Sequence, residues 1–169
     1  MKTTYETGIR PKIWEPRMKF VATNEVSASI EDVWAAVTDF DAFEARLSQR
    51  AEVERRPPGP AALGTIWDAQ AEVMGASRDV EMRLSELAAP HAMTLSGKSD
   101  GIDLTANARL EELGPRRTRL TVTTEAKASS LGAKLMLQSI KLAKKTLVQR
   151  YRNYVAGFVR RIEKGNRPA

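Results

Sequence analysis

From Met18 to Ala28 apolar and polar residues alternate, with Phe20, Ala22, Val26 and Ala28 set against Thr23, Glu25 and Ser27. That period of two predicts a half-buried strand. The period then lengthens. Ser29 sits where an N-cap belongs, Asp32 follows three positions later, and Ile30, Val33, Trp34 and Val37 make one helical face. Asp39 or Asp41 restarts a second short helix, whose apolar face is Phe40, Phe43 and Leu47. After Gln49 the period returns to two and stays there as far as Lys127, divided by the Pro57–Pro60 turn, Gly75, Pro90-His91, Asp100-Gly101 and Gly114-Pro115. The strands predicted are Ala51–Arg55, Gly64–Met74, Arg78–Leu87, Ala92–Lys98, Ile102–Leu113 and Arg117–Lys127. Their short connections make them antiparallel neighbours in a meander.

Ser129 or Ser130 opens the last element, a helix expected to reach Lys164, roughly 50 Å at 1.5 Å per residue. Its main apolar stripe is Met136, Ile140, Ala143, Leu147, Tyr151, Tyr154, Phe158 and Ile162, widened by Leu137, Val148 and Val155. The order is strand, two short helices, six strands, long helix. It predicts an α+β fold, a curved seven-stranded antiparallel sheet with two short helices after the first strand and one long C-terminal helix on the concave side. Gly8, Pro11 and Pro16 break any period in residues 1–17, which read as an N-terminal extension to a domain of residues 18–164, with 165–169 as a tail.

Composition adds limits. A chain of 169 residues with 42% hydrophobic content can bury one core, so a single domain is expected. Without cysteine there are no disulfides, thiolates or Cys-based zinc sites, which fits a reducing compartment. No secretory signal pattern and no apolar run of membrane-spanning length is present, so the expectation is a soluble, cytoplasmic protein.

The order of elements, the stretch VSASIEDVWAAVTDFDAF from Val26 to Phe43, and the LMLQSIKLAKK stretch from Leu135 to Lys145 resemble the SRPBCC or START-like superfamily. The resemblance covers about Met18 to Glu163 and is carried mainly by packing positions. It implies a helix-grip fold like that of polyketide cyclases, coenzyme-Q-binding proteins, lipid-transfer domains and birch-pollen-allergen-type proteins. It also implies a cavity between the curved sheet and the long helix, closed at one end by the short helices. Trp34, Phe40 and Phe43 would then be divided between core and cavity wall, and aromatics at helical spacing are ordinarily core.

Catalytic constellations are sparse. One histidine, His91, follows Pro90 in a strand-to-strand turn, where a surface role is the ordinary one; no His-based metal cluster or hydrolase triad forms around it. Asp39, Asp41 and Glu44 cluster, but two read as helix caps and Glu44 as part of a solvated face. The inward strand positions read Trp67, Ala69, Ala71, Val73, Val80, Met82, Leu84, Met93, Leu95, Leu104, Ala106, Val122 and Thr124. Small residues leave room there and methionines adapt, which suits an apolar ligand more than acid–base chemistry. The expected cavity is Trp34, Phe40, Phe43, Trp67, Met82, Leu84, Met93, Leu95, Leu104, Val122 and Thr124 with Ile140 and Leu147 from the helix, holding a hydrophobic small molecule without cofactor, metal or catalytic residue. The alternative is a cyclase or dehydratase with Thr124 and His91 as first candidates.

Charge supplies a second signal. The net charge of +6 is concentrated late, with nine Lys or Arg and one acid, Glu163, between Leu131 and Lys164. Lys134, Lys141, Lys145 and Arg152 fall away from the apolar stripe, as on a solvated helix face. Leu131, Leu135 and Leu142 share that side, which an ordinary surface helix would leave polar. Leucine beside lysine favours contact with the extension through Ile13 and Trp14, with a second subunit in a homodimer, or with an anionic membrane at its inner face. Nucleic acid is disfavoured as a partner: the Arg116–Arg119 hairpin is basic, but no RNA-binding aromatic run or helix-turn-helix spacing accompanies it.

Overall fold

The computed structural model describes residues 16–73 and 75–166. The expected contact through Ile13 and Trp14, most of the extension, Met74, the side chain of Val73 and the tail beyond Asn166 lie outside the described residues. The elements are β1 (Arg17–Val26), α1 (Ile30–Val37), α2 (Phe40–Leu47), β2 (Ala51–Arg56), β3 (Ile66–Val73), β4 (Ala76–Ala88), β5 (Ala92–Ser99), β6 (Ile102–Gly114), β7 (Arg117–Ala128), α3 (Leu131–Lys141) and α4 (Lys144–Gly165). The seven strands form one antiparallel sheet in the order β1-β7-β6-β5-β4-β3-β2. It curves around the helices of its concave face, aided by bulges between Leu84 and Glu86 and between Glu112 and Gly114.

The helix starts follow from their caps. Ser29 Oγ accepts from the Asp32 amide at 3.2 Å, Asp39 Oδ1 from the Ala42 amide at 2.9 Å, and Ser130 Oγ from the Ala133 amide at 3.1 Å. Each satisfies one of the amides that a helix N-terminus leaves unpaired.

The C-terminal helix is long, but it is not continuous. The amides of Leu142 and Ala143 bond three residues back, to Ser139 O at 3.3 Å and Ile140 O at 3.0 Å, and this tight turn separates α3 from α4. No proline or glycine stands there. A reading of apolar spacing passes through such a break, because Ile140 and Leu147 keep facing the sheet on either side of it. The stripe also differs in two members: Ala143 is exposed at the break and Tyr154 is 67% exposed, while Val155, Val159 and Ile162 are buried. Four- and three-residue steps from Tyr151 thus run through Val155, one position beyond Tyr154.

Three buried clusters hang on this frame. One joins α1 and the end of α4 to β6 and β7 through Val26, Val33, Leu110, Leu120, Val159 and Ile162. A second places α3 on β1 and β7 through Met18, Ala128, Ala133 and Leu137. The third sits under α2, where Phe40, Trp67 and Leu84 meet.

The β5–β6 hairpin sets one boundary of the site. Asp100 and Gly101 both take positive φ, 42° and 77°, as a two-residue turn of the primed type requires. Gly101 is also in close contact: a Cβ there would lie 2.4 Å from Ser130 Oγ, the cap of α3. Ser129 ties the hairpin down, its amide and hydroxyl both donating to Gly101 O at 2.7 and 2.9 Å.

Candidate functional site

A cavity of about 430 Å³ lies between the sheet and the broken helix. Its floor comes from alternate residues of four strands: Met18 and Phe20 of β1, Thr124 and Ala126 of β7, Ile102 and Leu104 of β6, Arg78 and Val80 of β4. Its roof is Met136, Leu137 and Ile140 of α3 with Leu147 and Tyr151 of α4, so the break at Leu142-Ala143 falls between the two halves of the roof. The volume lies over the short side chain of Ala126 and beneath the break between α3 and α4. The wall is almost wholly carbon, and the volume is in the range that small-molecule sites occupy.

Two polar pairs interrupt that wall. Thr124 Oγ1 and Tyr151 Oη lie 3.1 Å apart, and the Tyr151 ring packs on Phe20 with centroids 5.5 Å apart. Burial pushes the Tyr151 phenol above its ordinary range, against a smaller opposite effect of the bond to Thr124. At the other pair, Arg78 Nη1 donates to Asp100 Oδ2 at 2.6 Å, while Arg78 Nε is buried and has no acceptor among the described residues. A wider, polar groove of about 1180 Å³ shares Val80, Ser99, Asp100 and Ile102 with the cavity. The cavity therefore opens beside the Asp100-Gly101 hairpin.

The expected cavity residues separate into two groups. Leu104, Thr124, Ile140 and Leu147 line the cavity together. The others stand elsewhere. Phe40, Trp67 and Leu84 are buried against one another, with Met82, Met93 and Leu95 packed around them. Phe43 stands edge-on to Trp67 at 6.0 Å. Trp34 and Val122 pack against the cluster of Val26, Val33 and Leu120. The physical reason is that α1 and α2 sit directly on the sheet at their end and fill it.

Glu44 is the clearest correction. Instead of facing water, its Oε2 accepts from Arg55 Nε at 2.7 Å and from Trp67 Nε1 at 3.1 Å. Arg55 also donates to Asp41 Oδ1 at 2.7 Å and is only 12% exposed. The Asp41 bond, foremost, and Glu44 hold this guanidinium above its usual pKa, against its desolvation. The cluster is a polar seam fastening α2 to β2 and β3, and it explains why the filled end closes.

His91 is exposed in the β4–β5 turn, at the opposite end of β5 from the cavity residue Ser99. Eight residues of strand separate the two, roughly 26 Å. Arg78, Ser99, Asp100 and Tyr151 are polar cavity residues that the sequence pattern did not single out. A signal existed for one of them, since Arg78 keeps step with Val80, Met82 and Leu84.

On the outer side of the helices, Leu131, Leu135 and Leu142 are 75%, 58% and 92% exposed. Lys134 and Lys141 are half-buried and Lys145 is exposed. In the Arg116–Arg119 hairpin the charges are answered locally: Arg117 and Arg119 pair with Glu25, and Arg119 with Glu111 at 2.6 Å.

Residues 17–163 match the family described as polyketide cyclase / dehydrase and lipid transport. No curated protein matches the chain in sequence. Among solved structures, norcoclaurine synthase from Thalictrum flavum, in complex with dopamine and hydroxybenzaldehyde, superposes with a TM-score of 0.65 at 13% identity, covering 100% of this chain and 99% of that one. Zhui aromatase/cyclase from Streptomyces sp. R1128 gives 0.59 at 17% identity, covering 86% and 94%. Likeness at this level of identity concerns the fold.

Proposed function

The chain belongs to the polyketide cyclase/dehydrase and lipid-transport family, and from that premise we propose that it is a cytoplasmic, non-catalytic carrier of a hydrophobic small molecule, such as a lipid, an isoprenoid quinone or a polyketide-like compound. The observation that carries the reading is the wall of the 430 Å³ cavity, which is carbon apart from the two polar pairs and the rim at Ser99. Such a wall binds by removing apolar surface from water, worth about 25 cal/mol per Å² buried. Native mass spectrometry of protein purified from its own host, followed by organic extraction, tests it. An apolar adduct recovered chemically unchanged is expected; a protein that neither carries nor takes up any apolar compound would overturn the reading.

A second reading, a cyclase or dehydratase acting on a polyketide-like substrate, is favoured by one observation: the hydroxyls of Thr124 and Tyr151 meet inside the same cavity. Burial holds the Tyr151 proton more tightly than usual, which suits a hydrogen-bond donor better than a proton shuttle at neutral pH. Conversion of a bound polyketide-like compound that stops in Thr124→Val and Tyr151→Phe would establish this reading in place of the first.

The carrier reading extends to a docking face for anionic membrane. Leu131, Leu135 and Leu142 supply apolar contact, and Lys134, Lys141 and Lys145 meet lipid headgroups, each adding on the order of 1 kcal/mol that salt weakens. The one acid of the segment, Glu163, is occupied by the Ser27 amide at 2.9 Å. The start of α3 lies against the hairpin at the cavity mouth, so docking brings the opening to the bilayer. Flotation with vesicles of phosphatidylcholine and phosphatidylglycerol at low salt should recover the wild type and lose a variant with Lys134, Lys141 and Lys145 changed to Glu. Equal absence of binding would remove the membrane role, and a concentration-dependent dimer would then account for the exposed leucines.

A further inference from the structure

Arg78 does not fit the surface it belongs to. It heads the inward series Arg78, Val80, Met82 and Leu84 of β4 and lines a cavity whose neighbouring wall is Val80, Ile102 and Leu104. One edge of its guanidinium is held by Asp100, yet its Nε–H is buried with no acceptor among the described residues. Buried polar groups are nearly always paired, and an unpaired N–H on a charged group is among the costliest exceptions. Ser99 and Asp100 stand at the rim, but the Nε itself is closed to a water-sized contact, so water at the rim does not pair it.

We propose that Arg78 is the head-group subsite of the carried ligand, which is therefore an amphiphile with a carboxylate at one end and an apolar chain or ring system at the other. The inference rests on the carrier reading and names the class of molecule carried. A carboxylate in the cavity supplies the matching charge for the guanidinium that lines its wall and, with a small shift of the side chain that uncovers Nε, the missing acceptor as well; the guanidinium fork is suited to it because it is weakly hydrated and rigid. Asp100 engages Nη1 of the guanidinium, and the five N–H donors of an arginine leave others for a second carboxylate. The carboxylates of the neighbouring groove, Asp79 and Glu81 among them, alternate with Arg78 and Val80 and so belong to the opposite face of the sheet. Geometry agrees with the chemistry. Asp100 is fixed in the hairpin that Ser129 clamps, so Arg78 is held at the cavity mouth, with the apolar volume running from there beneath α3 and α4. A head at Arg78 and a tail under Ile140 and Leu147 is the orientation that leaves the fewest groups unsatisfied.

The test compares two molecules with one chain: dodecanoate and its methyl ester, which keeps a carbonyl acceptor but has no charge. Each displaces the neutral apolar fluorophore N-phenyl-1-naphthylamine, whose own binding reports the cavity. The wild type should bind the acid about tenfold or more tighter than the ester, as a hydrogen bond to a charged group predicts. Arg78→Met should abolish that preference while keeping fluorophore and ester binding. Asp100→Asn, which tolerates the left-handed backbone and removes the competing carboxylate, should increase the preference. If fluorophore and ester bind but the acid has no advantage, or if the advantage survives both substitutions unchanged, the subsite is overturned and the carrier reading stands. If neither molecule nor the fluorophore binds, the carrier reading fails and the subsite with it.

Discussion

Trp67 and Ala126 stand in one row across the sheet, linked by register through Met82, Gly97 and Leu104, and the molecule treats the two ends of that row differently. At Trp67 the concave face is filled. Phe40 lies 5.5 Å from its ring, Leu84 is fully buried beside it, and its indole donates to Glu44. At Ala126 the same face is hollow, roofed by two helices that meet at a break. Strand alternation is equally regular at both ends, so alternation assigns a side chain to a face without deciding whether that face is core or cavity. Side-chain size and the way the covering helix is fastened decide it. Glu44 and Arg55 pull α2 onto the sheet, while the α3–α4 turn at Leu142-Ala143 is exposed over the hollow end.

The sharpest way to break this contrast is truncation at each end. Leu84→Ala removes side-chain volume from a closed cluster and should cost about 3–5 kcal/mol in chemical denaturation. Leu104→Ala, which enlarges a space already present, should cost about 2 kcal/mol or less and should instead change which ligands bind. Equal losses would mean that the two ends are packed alike. Next in size is the polar seam. Glu44→Ala leaves the largely buried Arg55 with Asp41 as its carboxylate partner and the Gly59 carbonyl and a fully buried indole N–H unpaired, and should destabilise by about 2–3 kcal/mol. Glu44→Gln, which can still accept from the indole, should recover part of that loss. If Glu44→Ala is neutral, the seam is not what closes the filled end.

These contrasts follow the limits of what sequence shows. Strand faces, caps and the order of elements were legible because they depend on neighbours within a few residues: Ser29, Asp39 and Ser130 cap the helices they precede. The Glu44–Arg55–Trp67 seam was not, since its members are separated by 11 and 23 residues along the chain. The cavity was legible only in part for the same reason: Leu104 and Trp67 look equivalent until register and covering helix are known. The break at Leu142 has no proline or glycine to announce it. Arg78 illustrates a different limit, because alternation places it inward while its charge argues for water, and only its pairing with Asp100 beside an apolar wall explains how both hold.

Filling reverses the truncation experiment with a smaller effect. Ala108 is 7% exposed inside the cluster beneath α1 and α4, and Ala108→Leu should overpack it at a cost of about 1–3 kcal/mol. Ala126→Leu enters the cavity and should leave stability within about 0.5 kcal/mol of the wild type, while weakening uptake of an apolar fluorophore. A cost at Ala126 matching that at Ala108 would show that the hollow end has no room.

A modest effect is expected at Tyr151, and its sign follows from burial. The folded protein holds this phenol proton more tightly than the unfolded chain, so the contribution to stability is complete below the ordinary tyrosine pKa of about 10 and is lost as pH rises through the raised folded value. Tyr151→Phe should therefore abolish a late step in the ultraviolet titration of tyrosinate and flatten the alkaline loss of stability. At neutral pH it should cost about 1 kcal/mol, the usual net worth of one neutral hydrogen bond, less than the seam at the filled end because Thr124 is left beside an opening that water can enter. An apolar ligand in the cavity should push the phenol higher still, since it displaces whatever water reaches the ring. A titration step that does not move on ligand addition would place the ligand away from Tyr151, and one that moves down would mean that the ligand brings a hydrogen-bond donor or a positive charge to the phenolate instead of carbon.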